Sequence, residues 1–425
     1  MLDRSKQPQI HEIPFPNILP LEKRVLSNGV EMYILRGGTQ EIVEVDIITR
    51  SGVLYAERGG VARSTSTLLG EGAGNYTAKQ IASKFDFYGV MVSASVGMET
   101  SEFTVVSMTK YLDKCLDEIE AMFKAPVFQQ LELDLHKEKI LHKHKMQMQK
   151  TKYRAARLAR TSLYDAESRY SRLMSAADIE SISREALLDF HSKCYTPDGA
   201  KIFVSGLPTE EFLQRLERIF GDTWQYKPLA EVELRPKYKQ EVQVIFDEYE
   251  EAMQNTIHMT TKMPTIDNSD IIYLDVLNMI YGGYFGSRLM KNIREEKGLT
   301  YGINSCNTVN HLDGYHTICS NVKSDMYEVV LDEIWKEMEL LCREPISVEE
   351  LDLVKSYMYG CFTERMDNIL SMGDIHKGLI LIGKDYDYYR NYYDTISSAT
   401  PEDILRVAQK YYIRDNYHVI VSGKR

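Results

Sequence analysis

Two stretches of the chain repeat one plan at a fixed interval. ISREALLDFHSKCYTPDGAKIFVSG, ending at Gly206, and ATPEDILRVAQKYYIRDNYHVIVSG, ending at Gly423, align without gaps over their last part. Lys193 falls on Lys410, Tyr195 on Tyr412 and Val204-Ser205-Gly206 on Val421-Ser422-Gly423, each pair 217 positions apart (423 − 206, 412 − 195). A shared tripeptide alone carries little weight. Here a helix, a tyrosine, a polar turn and an apolar strand recur in the same order, which predicts two duplicated domains of about two hundred residues each. A chain of 425 residues, 44% of them hydrophobic, can fill two cores. QYKPLAEVELRPKYKQE, residues 225–241, has two prolines, many charges and little periodicity, the composition of a linker. The expected division is therefore 1–224, a linker over 225–241, and 242–425.

Within the first half, RVLSNGVEMYIL predicts two strands around Asn28-Gly29, a dipeptide suited to the positive φ angles of a tight hairpin. In EIVEVDIITRSG, Val43, Val45 and Ile47 alternate with Glu44 and Asp46, the period of a half-buried strand. VMVSASVGMETSEFTVVSMT predicts a further hairpin, and Leu112, Cys115, Leu116, Ile119, Met122 and Phe123 recur at helical spacing. Helical patterns continue from residue 130 to 195. The second half repeats the plan: strands at VQVIFD and TIHMTTKMP, a helix from Tyr273 into Gly282-Gly283, a hairpin turning at Asp313-Gly314, then helices. These are the elements of an α+β fold whose two similar domains each hold a largely antiparallel sheet covered by helices on one face.

The formal net charge of −11 argues against a polyanion as the main partner, so nucleic acid is not expected. One stretch departs from that balance. Residues 136–160, HKEKILHKHKMQMQKTKYRAARLAR, set nine lysines and arginines against one glutamate, either a solvated helix face or a basic wall toward an acidic substrate or partner. No segment reaches the roughly 18 uninterrupted apolar residues of a membrane helix, and Asp275 interrupts IIYLDVLNMI. The opening MLDRSKQPQIHEIPFPNILP lacks the apolar run of a secretory signal. Six cysteines without a C-x-x-C pair point to reduced thiols and a cytoplasmic protein.

Nucleotide-binding glycine motifs and a G-x-S-x-G elbow are absent from the sequence. His136, His142 and His144 form the densest imidazole group. His142 and His144 are two apart and point to different sides of a helix, and His136 pairs with neither at helical spacing. An enzyme using another metal arrangement would have to draw these three onto one ion, which their spacing disfavours. GGVARSTSTLLGEG, residues 59–72, has the outline of a glycine-introduced amphipathic helix whose polar face carries one arginine and four hydroxyls. In YGGYFGSRLMKNIREEKGLTYGI, residues 281–303, a helix carries Arg288, Arg294 and Glu295, Gly298 suits its C-cap, and Tyr301 begins a strand. Arg294 and Tyr301 can then converge across the corner, offering a guanidinium fork and a phenol to a peptide carbonyl or carboxylate; alternatively they only pair and pack locally.

With these residues in view, the chain resembles the insulinase, pitrilysin and mitochondrial processing peptidase family along nearly its whole length. The resemblance rests on the L-x-N-G-V hairpin at residues 26–30, RSGVLYAERGGVA before the helix, Pro126, the domain-ending Y-x-P and V-S-G runs and, most specifically, FGSRLMKNIREEKGLTYGI. It implies two similar α+β domains forming half of a clamshell around a peptide chamber. Family enzymes carry H-x-x-E-H on the first-domain helix, two histidines for zinc and a glutamate activating water. The matching run here is Arg63-Ser64-Thr65-Ser66-Thr67, so Arg63, Ser66 and Thr67 stand at the histidine, glutamate and histidine positions. The downstream glutamate ligand is expected near Lys143 or His144, where no carboxylate lies. The resemblance thus implies no catalytic residue and no cofactor in this chain, and zinc in a homologous partner subunit bearing H-x-x-E-H. The arginine and tyrosine signature is intact as Arg294 and Tyr301, which in such heterodimers grip the substrate peptide. The chain is expected to be the non-catalytic, peptide-binding subunit of a heterodimeric metallopeptidase, with homodimerisation of the isolated chain left open. The alternative is a structural core-type homologue with no role in proteolysis.

Overall fold

The computed structural model describes residues 13–425. The reading of the first twelve residues as lacking a signal lies outside them. Two sheets form the frame. The first holds β1 (Glu22–Val25), β2 (Glu31–Arg36), β3 (Ile42–Thr49), β4 (Met91–Val96), β5 (Ser101–Met108) and β6 (Lys201–Gly206) in the order β1-β2-β6-β3-β5-β4. The second holds β7 (Val244–Glu248), β8 (Asn255–Lys262), β9 (Thr300–Val309), β10 (Gly314–Val322) and β11 (His418–Gly423) in the order β7-β11-β8-β10-β9. Both are antiparallel except for one parallel pair each, β2 with β6 and β7 with β11. The repeated strands β6 and β11 occupy equivalent inner positions. Each ends on a glycine at positive φ, Gly206 at 117° and Gly423 at 153°. A Cβ would stand 2.1 Å from the Ile42 carbonyl oxygen at Gly206 and 2.0 Å from Asn255 Oδ1 at Gly423. The recurring V-S-G is therefore a steric requirement at the end of both strands.

The first core lies between its sheet and the helices Ala78–Tyr88, Leu116–Lys124 and Arg184–Cys194, with Phe123 ringed by Phe103, Tyr195, Phe220 and Trp224 at centroid distances of 5.2–5.9 Å. The second core is built the same way around Trp335, Tyr281 and Tyr417. Two expectations need correction. Around Asn28-Gly29 only Gly29 takes positive φ, and hydrogen bonds from Leu26 N to Val30 O (2.8 Å) and from Gly29 N to Leu26 O (2.9 Å) make a longer loop. Asn28 has another use: its Nδ2 donates to the Phe220 and Trp224 carbonyls. The second correction is that β3 is not half-buried. Asp46 is buried, because the first sheet is covered on both faces.

The covering helix comes from the other half of the chain. Ile369–Leu381 lies across the outer face of the first sheet, where Ile380 meets Tyr33, Ile48 and Phe203 and Lys377 Nζ pairs with Asp46 at 2.7 Å. Reciprocally, Thr151–Leu163 lies across the second sheet, with Ala155 and Ala159 against Ile420 and Arg154 bidentate on Asp247 at 2.6 and 2.7 Å. The helices are equivalent in the repeat (369 − 151 = 218), and so are the helices before them, Gln130–Met148 and Val348–Glu364 (348 − 130 = 218). Ala155 corresponds to Gly373, whose Cβ would lie 2.1 Å from Ser205 Oγ. Small residues at both positions let each helix approach the opposite sheet closely. Residues 225–241 are tied to both halves: Tyr238 pairs with Tyr164 and donates to Asp313, while Leu229, Val232 and Leu234 pack on the first core. Among the described residues, no helix is long and apolar enough to cross a membrane.

Candidate functional site

Gly60, at φ 89°, caps the helix Val61–Thr67, and Gly59 lies where a Cβ would stand 2.9 Å from Met174 Cα. The glycine pair brings this turn against the segment around Met174. The helix is short and less amphipathic than its sequence implies, since Ser64, Thr65 and Ser66 are buried and only Arg63 and Thr67 are exposed. Thr65 Oγ1 donates to Val61 O at 2.9 Å, and Ser64 Oγ lies 3.0 Å from His136 Nε2. Below Ser66 the Tyr195 hydroxyl faces Ser51, Ser66 and Ser101, and burial pushes its pKa up to about 12.

A cavity of about 620 Å³ brings Arg63, Ser66 and Thr67 together with Lys143 and His144, the positions expected for the downstream ligand, and with His136. The residues present do not fit a zinc ion. Among the described residues no carboxylate lines the cavity, and Arg63 and Lys143 contribute two cations. Burial, and then Lys139 for His136 and Arg157 for His144, lowers the pKa of both imidazoles. They are eight residues apart on one helix, roughly 12 Å along its axis, too far to share an ion. His142 points to solvent. The one group of three metal-type donors among the described residues, Glu44, Asp46 and Asp374, lies on the opposite face of the sheet, where Lys377 already pairs with Asp46 and Asp374.

The second candidate stands at the free edge of the second sheet. The turn of helix Met290–Glu296 that carries Arg294 is anchored from below: Asn292 Nδ2 donates to Glu337 at 2.7 Å and Lys297 pairs with Glu333. Gly298, at φ 63°, closes the helix through Gly298 N to Arg294 O at 3.2 Å, and β9 begins two residues later. Gly282 lets this unit approach β9, its Cβ position being 2.9 Å from Ser305 N. Arg288 is bidentate on Glu350 at 2.8 and 2.7 Å, an internal fastening. Arg294 instead stacks on Phe285 with its guanidinium 4.6 Å from the ring centroid, and Tyr301 is 89% exposed. Neither makes a side-chain hydrogen bond to another described residue, and none joins them to each other. Tyr301 lies at the start of β9 and Arg294 just before it, and among the described residues the outer edge of β9 pairs with no strand. Such an edge offers main-chain donors and acceptors to an extended peptide.

Sequence reasoning missed a third feature. Beyond Arg63 the wall continues into a cavity of about 400 Å³ lined by Arg58, Arg63, Arg157, Arg160, Arg169 and Arg172. Two of the six, Arg157 and Arg160, belong to the basic run 136–160, which was a usable signal. The other four come from separate segments that only the fold assembles. The rest of the run is divided: Lys137 caps the Glu180 and Ile182 carbonyls, and Arg154 is bound to Asp247.

Comparison with known proteins agrees with this architecture. Residues 34–175 match the family described as insulinase (peptidase family M16), and residues 181–358 match the peptidase M16 inactive domain. The chain is 24% identical over 368 residues to the uncharacterized zinc protease YmxG of Bacillus subtilis, covering 86% of this chain and 89% of that protein. It is 21% identical over 374 residues to the non-peptidase homolog YmxG of Helicobacter pylori, covering 86% and 85%. In structure it is similar to the peptidase M16 inactive domain from Pseudomonas fluorescens, with a TM-score of 0.88 at 20% identity over 96% of this chain and 99% of that one.

Proposed function

We propose, from the premise that this chain belongs to the insulinase family of peptidases (M16) and fits a non-catalytic member of it, that it is the peptide-holding subunit of a heterodimeric zinc peptidase. A homologous partner carries zinc and cleaves; this chain positions the substrate. The observation that carries the reading is the contrast between the two candidate sites. Arg63, Ser66 and Thr67 offer no ligand set, whereas Arg294 and Tyr301 stand without internal hydrogen bonds beside an open strand edge. Main-chain pairing along β9 tolerates many sequences, and the arginine fork and the phenol fix a carbonyl or carboxylate near one end. Phe285 holds the guanidinium in place by stacking, which limits the ordering entropy that binding must overcome.

The test is reconstitution. Purified chain is mixed with an H-x-x-E-H-bearing homologue from the same organism, and turnover of a quenched unfolded peptide is followed. Turnover should rise on adding this chain; no change would remove the proposal. Arg294→Ala deletes a charge-assisted hydrogen bond of about 1.5–3 kcal/mol, so activity should fall roughly ten- to hundredfold while co-elution of the subunits is unaffected.

A further inference from the structure

The six arginines concentrate positive charge that no ion pair closes among the described residues. No carboxylate lines their cavity, and among the described residues none of the six forms an ion pair, in a chain whose net charge is −11. Four are oriented by backbone carbonyls: Arg157 donates to Met174 O (3.0 Å), Arg160 to Tyr170 O, Arg169 to Leu54 O (2.8 Å) and Arg172 to Ala56 O (3.1 Å). Each such contact uses one or two of a guanidinium's five donors and aims the rest. Arg58 and Arg63 make no hydrogen bond to a described residue. The acids that act on them through space, Glu57 on Arg169 and Asp313 on Arg160, stand beyond ion-pair distance. Asp313 accepts the Tyr164 and Tyr238 hydroxyls, and Asp178 caps Ser175 N at 2.8 Å. Burial first, and then the charge of Arg172, hold the pKa of Arg169 down, with the Glu57 carboxylate opposing them only in part.

We propose that this cavity binds the carboxylates of an acidic peptide segment, so that the subunit selects substrates carrying clustered aspartate or glutamate. The inference rests on the peptide-holding reading above and adds the substrate class. Val53, Tyr153, Ala156 and Met174 lie between the arginines and suit the stems of side chains, and a volume of about 400 Å³ is too small to seat a nucleic-acid duplex. Position also favours a peptide. The cavity shares Ala156 and Arg160 with the space of about 520 Å³ between the halves, which reaches Thr308 at the far end of β9. From Tyr301 to Thr308 is seven strand residues, roughly 23 Å. A peptide paired along β9 would therefore bring residues about seven or eight positions from its anchored end toward the arginines.

The experiment uses full-length chain at fixed ionic strength and three labelled unstructured dodecamers, with four glutamates, glutamines or lysines clustered at one end. The glutamate peptide should bind at least tenfold tighter than the glutamine peptide, and the lysine peptide most weakly. Arg58→Gln/Arg63→Gln removes two charges that hold no other group, so the preference should shrink about tenfold with the melting temperature and glutamine-peptide affinity unchanged. Lys79→Gln/Lys114→Gln, removing two exposed charges elsewhere, should leave the preference intact; an equal loss there would reduce the effect to net charge and overturn the proposal. Equal affinity for the glutamate and glutamine peptides would overturn it while leaving the peptide-holding reading in place. No binding of any peptide would remove both, and tighter binding of a single-stranded RNA dodecamer would assign the cavity to a nucleic acid instead.

Discussion

Replacing Lys377 by Met tests whether the two halves are locked by the exchanged helices. Lys377 belongs to the second half of the chain but is buried against the first sheet, its side chain 12% exposed and that of Asp46 5%. Its ammonium lies 2.7 Å from Asp46, 2.7 Å from Asp374 and 2.5 Å from Glu102. Burial opposes the charge, yet these carboxylates hold the lysine pKa well above its usual value. Methionine keeps most of the volume and leaves Asp46 buried without its cation, accepting from the Thr104 hydroxyl at 2.6 Å. Removing one partner of such a pair destabilises by about 3–5 kcal/mol, whereas replacing both is close to neutral. Lys377→Met should therefore lose about 3–5 kcal/mol, and Lys377→Met/Asp46→Leu should regain more than half of it. Urea unfolding followed by fluorescence suits the measurement, because Trp224 lies in the first core and Trp335 in the second. Both should report one shared transition, displaced together by the substitution. The loss should be greatest at pH 8 and shrink as acid protonates the stranded carboxylates. A loss below about 1 kcal/mol, no recovery in the double variant, or two separate transitions would refute the interlock.

Glu44, beside the same cluster, has its pKa pushed up to about 7 from 4.5, chiefly by burial and then by Asp46 and Asp374. The folded state thus holds a proton that the unfolded chain releases, and stability falls as pH rises from 4.5 to about 7; Glu44→Gln should flatten that slope and gain about 1 kcal/mol at pH 8 after allowance for solvent screening, read as a melting temperature that no longer drops between pH 5 and 8. Gly206→Ala forces a Cβ to within 2.1 Å of the Ile42 carbonyl oxygen at φ 117° and should lose at least about 2 kcal/mol in urea unfolding, whereas Gly89→Ala, where nothing lies within 4 Å, should lose only about 1. Dialysis against a strong chelator should leave the melting temperature of the isolated chain unchanged, and elemental analysis should find well under one zinc per chain; a fall of several degrees would contradict the poor fit of Arg63, Ser66 and Thr67 to the ion.

Composition and local order already contained much of this molecule. The 217-residue repeat, the hairpins and the helical runs follow from short-range patterns, because strand alternation, helical period and turn glycines are read within a few residues. Arg63, Ser66 and Thr67 could likewise be judged from the sequence, since a hydroxyl or a guanidinium lacks the donor chemistry of imidazole or carboxylate wherever it is placed. The exposed Arg294 and Tyr301 beside an edge strand depended on one contiguous segment, 281–303. Other features had no local signature. Asp46 reads as the polar side of a half-buried strand, and only the helix Ile369–Leu381, more than three hundred residues away, buries it and supplies Lys377. The reciprocal seat of Thr151–Leu163 on the second sheet is equally silent in sequence, because alanine and glycine spacing marks a close approach but not what is approached. Arg58, Arg63, Arg157, Arg160, Arg169 and Arg172 converge only after these helices are in place. Local pattern thus settled which elements form and which chemistry is missing, whereas long-range packing decided which charges are buried together, since burial and charge proximity are set by contacts between segments far apart in the chain.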